Sequence, residues 1–130
     1  MTCHFADDMP FVCGGSDGSG TYYDTCYKYS PLTDSWQESG TMPSRRAYSA
    51  WAYLESFGLV MAGGYDGSRY LDSVIVTKDG YTFDTLQSLP IPSSHGCLAV
   101  VDDNTLLMTG GNPDARAVHS YDIISDTWTR

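Results

Sequence analysis

Leu59-Val60-Met61-Ala62-Gly63-Gly64 is the stretch whose reading decides the fold. Four apolar residues, enough for one short strand, run into two glycines. The same ending returns at Gly14-Gly15 and at Gly110-Gly111, so successive pairs lie 49 and 47 positions apart. A lone Gly-Gly carries no information, but this one keeps a register. Met42-Pro43 stands 21 positions before Gly63, and Leu89-Pro90 begins the same 21 positions before Gly110. Tyr29 precedes Trp36 by seven, and Tyr121 precedes Trp128 by seven. The chain therefore reads as nearly three copies of one unit, with approximate limits 1–43, 44–90 and 91–130.

Each unit reads as four short strands. In the third copy, 97–101 and 106–109 are apolar runs separated by the turn Asp102-Asp103-Asn104-Thr105. A strand near 118–122 and a last one reaching Trp128 complete it. In the second copy the strands fall near 47–54, 59–62, 73–76 and 82–86, with Asp66-Gly67 and Asp79-Gly80 at turns. The first copy has a shorter opening hairpin that turns at Asp7-Asp8-Met9-Pro10. Gly at the strand end tolerates positive φ and close backbone approach. Tyr and Trp supply large plates to fill the wedge between twisted sheets. Four strands per 40–50-residue unit is the arithmetic of a β-propeller blade.

These residues resemble the kelch repeat. That family's pattern is a strand ending in Gly-Gly, then a Tyr and a Trp, then Met-Pro-x-x-Arg. The first copy matches with Gly14-Gly15, Tyr29, Trp36 and Met42-Pro43-Ser44-Arg45-Arg46. The resemblance implies an all-β chain, a kelch-type propeller segment of nearly three four-stranded antiparallel blades. It assigns Gly14, Gly15, Gly63, Gly64, Gly110 and Gly111 to structure, and Tyr29, Trp36, Tyr121 and Trp128 to the core. Two departures stand out. The second copy has Val76 and Phe83 where Tyr and Trp belong, and Ser93 occupies the place of the family's Arg. Propellers close with roughly four to eight blades. Fewer than three leave sheet faces uncovered, so the expectation is a piece of a longer protein or one that associates with itself.

Four cysteines are present: Cys3, Cys13, Cys26 and Cys97. In this register Cys13 and Cys26 sit on neighbouring strands at the two ends of one loop. Some extracellular kelch-like proteins look similar there. Two readings stand, a cross-strand disulfide and a pair of reduced buried thiols. The disulfide argues for a secreted or lumenal protein, free thiols for a cytoplasmic one. Cys3 and Cys97 lie two units apart and are not expected to meet. The cysteine spacings lack the paired short gaps of zinc sites, so no metal is expected.

Sixteen acids against seven bases give a formal net charge of -9. Nucleic acid and anionic membranes are repelled by such a surface. No apolar run approaches the roughly 18 residues of a membrane helix, and residues 1–8 do not read as a secretory signal. His4, His95 and His119 form no recognisable local set with a nucleophile and an acid. Asp17-Gly18-Ser19 and Asp66-Gly67-Ser68 recur at corresponding places and read as turns. Neither an enzyme nor a cofactor is expected. The enzymatic alternative within the family is the copper-dependent, galactose-oxidase-like sugar oxidases.

The resemblance places the binding rim in two sets of loops. One set follows Gly-Gly, at 16–24, 65–71 and 112–117, and the other follows Met-Pro, at 44–48 and 91–95. Rim loops on a rigid scaffold are where recognition concentrates, and Tyr and Arg dominate contact energies. The candidate ligand-binding residues are Arg46, Tyr48, Tyr65, Arg69, His95 and Arg116, with Tyr22, Tyr23 and Tyr70 beside them. The expected partner is a protein or peptide, and the expected role an interaction module. The parent reads as an intracellular adaptor or an extracellular kelch protein.

Overall fold

The computed structural model describes residues 9–130 in full and residues 2–6 as a backbone strand. The side chains of Cys3 and His4, and the expected turn at Asp7 and Asp8, lie outside the described residues. The strands are β1 (Thr2–Ala6), β2 (Met9–Cys13), β3 (Thr25–Ser30), β4 (Ser35–Thr41), β5 (Ala50–Leu54), β6 (Gly58–Ala62), β7 (Val74–Thr77), β8 (Asp84–Leu86), β9 (Cys97–Asp102), β10 (Thr105–Thr109), β11 (Val118–Asp122) and β12 (Thr127–Thr129). Each run of four forms one antiparallel meander: β1-β2-β3-β4, β5-β6-β7-β8 and β9-β10-β11-β12. These are three blades of a propeller. Met9 and Pro10 belong to β2 rather than to a turn.

The blades stack in chain order. Phe11, Cys13, Cys26 and Met42 of the first unit pack on Leu59, Met61 and Ile75 of the second. The opposite face of the second, with Ala50, Ala52, Val60 and Val74, packs on Leu98, Leu106, Met108 and Tyr121 of the third. Successive residues of a strand point to opposite faces. The middle blade is covered on both, so β6 is buried at every position.

The Gly-Gly pairs are where the link to the next blade crosses. Gly15 N–H donates to the Arg46 carbonyl at 2.9 Å, and Gly64 N–H to the Ser93 carbonyl at 2.8 Å. Gly14 and Gly63 have φ of +65° and +64°, and a Cβ on either would overlap those same carbonyls. A side chain is excluded twice, by the left-handed backbone and by the crossing chain.

Cys13 and Cys26 are opposed in the β2–β3 register and form a disulfide with Cα atoms 4.1 Å apart. Cys97 is a free, exposed thiol.

Three further expectations need correction. Tyr121 is fully buried and Trp128 packs onto the core beside it, but Trp36 is 50% exposed. This Tyr–Trp pair faces the preceding blade. The third blade has the second there, whereas the outward face of the first, with Val12, Tyr27, Tyr29 and Trp36, is open to solvent. Next, the residue in the Tyr position of the second copy is Thr77, not Val76. Leu59 pairs with Thr77 as Leu106 pairs with Tyr121. The third correction concerns Arg46 and belongs with the rim.

Candidate functional site

The links between blades carry the first part of the site. The link into the second blade pairs with the loop after Gly63-Gly64: Ala47 N–H donates to the Tyr65 carbonyl at 2.9 Å, and Tyr65 N–H returns to Ala47 at 2.8 Å. In the next link, Ser94 bonds Asn112 in the same reciprocal way. Immediately after each of these pairings comes a residue with a left-handed backbone. Tyr48 has φ 59° and His95 has φ 62°. For residues with a Cβ this costs about 1–2 kcal/mol. His95 N–H donates to the Tyr48 carbonyl at 2.8 Å, which holds the two links side by side. The result is that the Tyr48 and His95 rings stack, with centroids 4.3 Å apart and planes 14° from parallel.

The loops after Gly-Gly carry the second part. Asp17 Oδ1 accepts from the N–H groups of Ser19 and Thr21, at 2.8 and 3.1 Å. Asp66 Oδ1 accepts from Ser68 and Arg69, at 2.8 and 2.9 Å. Each loop then returns on itself, Ser16 pairing with Tyr22 and Tyr65 with Tyr70. Tyr65 sits between two rings, Tyr22 edge-on at 5.4 Å and Tyr70 tilted at 5.6 Å. Gly67 leaves room for the Tyr22 ring, which a Cβ there would meet at 2.9 Å.

Together Tyr22, Tyr48, Tyr65, Tyr70 and His95 line an open bowl of about 330 Å³. Residues from both loop sets and from two blade junctions converge on it. Hydrogen bonds from Ser19 and Thr21 hold the Asp17 carboxyl well below the usual carboxylate range. At Asp66 slight burial pushes up, but the Arg69 and Ser68 amides and the Arg69 charge outweigh it, and the carboxyl again sits low. Burial, then the neighbouring Tyr48, Tyr65 and Asp17, raise the Tyr22 phenol. Two ionised carboxylates, Asp17 and Asp66, thus stand on the loops that carry the bowl's rings.

Of the rim residues expected from sequence, Tyr48, Tyr65 and His95 meet in the bowl. Arg69 is exposed beside it and pairs with Asp66 at 3.7 Å. Arg116 is exposed on the third blade's loop, away from the bowl lining. Arg46 is the correction, because it is 2% exposed. Its Nη1 donates to the carbonyls of Gly63 and Ser73 at 3.0 and 3.3 Å, and its Nη2 to the hydroxyls of Ser44 and Ser73 at 3.1 and 2.7 Å. Burial among neutral acceptors pulls the guanidinium down to about 10. Arg46 is a structural post under the Gly-Gly corner. Tyr22 and Tyr70 complete the bowl, and the signal for them is their position closing each Asp-Gly-Ser loop.

Residues 11–43 match the family model described as Kelch motif, which runs from β2 through Met42-Pro43. No curated protein matches the chain.

Proposed function

Since the chain is a kelch-repeat protein built as three blades of a propeller, we propose that it is a binding module that takes a protein or peptide partner on the Gly-Gly rim. Each unit (1–43, 44–90 and 91–130) contributes a blade and the link that carries rim residues to its neighbour. The observation that carries the reading is the pair Tyr48 and His95. Two non-glycine residues in successive links spend backbone strain to present stacked rings to solvent. Strain of this kind clusters at functional sites. Tyr48, Tyr65 and His95 are the proposed contacts, with Arg69 and Arg116 flanking them. Exposed aromatic rings on a rigid sheet scaffold fit the energetics of recognition. The role proposed is not enzymatic. The Ser94 hydroxyl lies 2.8 Å from His95 Nδ1, but Ser94 is 1% exposed and shut away from any substrate.

The open end faces add self-association to the proposal. Tyr27 and Trp36 are exposed on the first blade, and Val101 and Val118 on the third.

A peptide-display selection against the purified chain tests the rim. Enriched sequences should lose binding to Tyr48→Ala/His95→Ala while the melting temperature stays within a few degrees. If no sequence is enriched, or the double variant binds as well, the rim reading is wrong.

One observation favours an extracellular or secreted parent over the adaptor, the Cys13–Cys26 disulfide. Disulfides persist in oxidising compartments. Alkylation of the non-reduced protein purified from its native source should leave those two cysteines unlabelled. Labelling of both returns the reading to the cytoplasm.

A further inference from the structure

We propose that the bowl formed by Tyr22, Tyr48, Tyr65, Tyr70 and His95 is a cage for a cationic side chain, a lysine or arginine of the peptide partner. This rests on the rim-binding reading and names what the rim selects. A ring face carries partial negative charge and attracts a cation set over it within about 6 Å. The bowl offers such faces in more than one orientation. Tyr48 and His95 form one stacked wall, and Tyr22 and Tyr70 stand at 75° and 55° to Tyr65. Its volume of about 330 Å³ admits a side-chain terminus rather than a folded element.

Charge selects the cation over a neutral apolar group. Asp17 and Asp66 flank the rings, and the hydrogen bonds they accept keep them ionised. The raised Tyr22 phenol stays neutral and keeps its ring face available. Arg69, beside Tyr70 on the same loop, is engaged by Asp66. The whole chain carries a net charge of -9, which draws cationic partners toward it.

The probes are short blocked peptides, Gly-Arg-Gly against Gly-citrulline-Gly and Gly-Lys-Gly against Gly-acetyllysine-Gly, with tetramethylammonium as a free cation. Binding is read by ring chemical shifts of the full chain. The arginine or lysine peptide should bind at least about tenfold more tightly than its neutral twin. Tyr65→Ala should abolish the difference. Arg69→Gln, which frees Asp66 and removes a competing cation, should tighten binding. Tetramethylammonium should bind more weakly than the peptides, because the cage belongs to a peptide site. Equal binding of charged and neutral twins overturns the cage. Tighter binding of tetramethylammonium than of either cationic peptide overturns the peptide assignment. Tyr65→Ala is paired with Tyr65→Phe, which keeps the ring face, so loss in the first with retention in the second separates the cage from a folding defect. Display-selected peptides that bind the rim with no dependence on Lys or Arg would sink the cage while leaving the rim reading intact.

Discussion

Trp128 donates its indole N–H to the backbone carbonyl of Gln87 at 2.9 Å, tying the last strand of the third blade to the end of the second. Asp126 takes the N–H of the same Gln87 at 2.8 Å while holding the Tyr121 hydroxyl. Gln87 is therefore gripped on both backbone groups. The seam before it is closed differently, by Ser39 donating to the Gly80 carbonyl at 3.0 Å.

The clasp makes two like residues unlike in energy. Trp128→Phe keeps a ring but drops the indole N–H, leaving the Gln87 carbonyl short of a partner. The expected loss is about 1 kcal/mol. Trp36→Phe, on the open face of the first blade, should cost less than about 0.5 kcal/mol, as surface changes do. Urea unfolding of both variants checks this. Equal losses would mean that Trp128 is not clasping its neighbour.

The crossing at the Gly-Gly corners gives a second graded comparison. A Cβ on Gly63 meets the Ser93 carbonyl, while on Gly110 the nearest atom is the Ala115 carbonyl at 3.7 Å. Both have positive φ, +64° and +68°. Gly110→Ala should therefore show the backbone cost alone, about 1–2 kcal/mol. Gly63→Ala adds displacement of a whole link and should cost about 3 kcal/mol or more. Denaturant midpoints decide it, and similar values for the two would remove the crossing link as the cause.

The repeat itself was legible because several spacings agreed, and period-two alternation then orders the blade faces. What it left hidden has physical reasons. The turn in the second copy is one residue tighter than in its sisters, so the seven-residue spacing back from Phe83 points to Val76 in place of Thr77. Tyr29 and Tyr121 share a pattern, yet only Tyr121 is fully buried, because burial depends on the neighbouring blade and not on the unit. Arg46 looked like a rim contact by position. In the fold the carbonyls of Gly63 and Ser73 and two serine hydroxyls absorb its guanidinium, and these come together only when the second blade packs on the link. Tyr48 and His95 were legible as equivalent positions, but their stacking depends on two left-handed φ values that no spacing encodes.

Stability should form a plateau with two limbs. Tyr22 and Tyr121 are raised chiefly by burial, and Tyr29 chiefly by its bond to Asp34. Unfolded tyrosines ionise near about pH 10. The folded chain then holds more protons than the unfolded one, so this contribution is complete below about pH 10 and falls as pH rises. Asp79 shows the opposite sign. Burial pushes it up, but the amides of Thr82 and Tyr81, each at 2.8 Å, outweigh that and lower it. Its contribution is present above the unfolded value of about 3.9 and is lost as pH falls. Melting temperature against pH should flatten on the alkaline side in Tyr121→Phe and on the acid side in Asp79→Asn. Unchanged slopes in both would refute the assignment.

Tyr48→Gly separates stability from binding. Glycine reaches φ 59° freely, so the substitution removes strain of about 1–2 kcal/mol. It also removes the stacked ring, whose partner His95 stays exposed, and adds chain freedom to the unfolded state. The net expected change is between neutral and about 1 kcal/mol more stable. For a residue held in place for packing, the same truncation would cost about 2 kcal/mol or more. Binding should move the other way, with display-selected peptides weakened at least about tenfold through loss of a central aromatic contact. Thermal unfolding and a peptide titration on one preparation give both numbers. A variant that loses stability and keeps its affinity would show that Tyr48 serves the fold and not the rim.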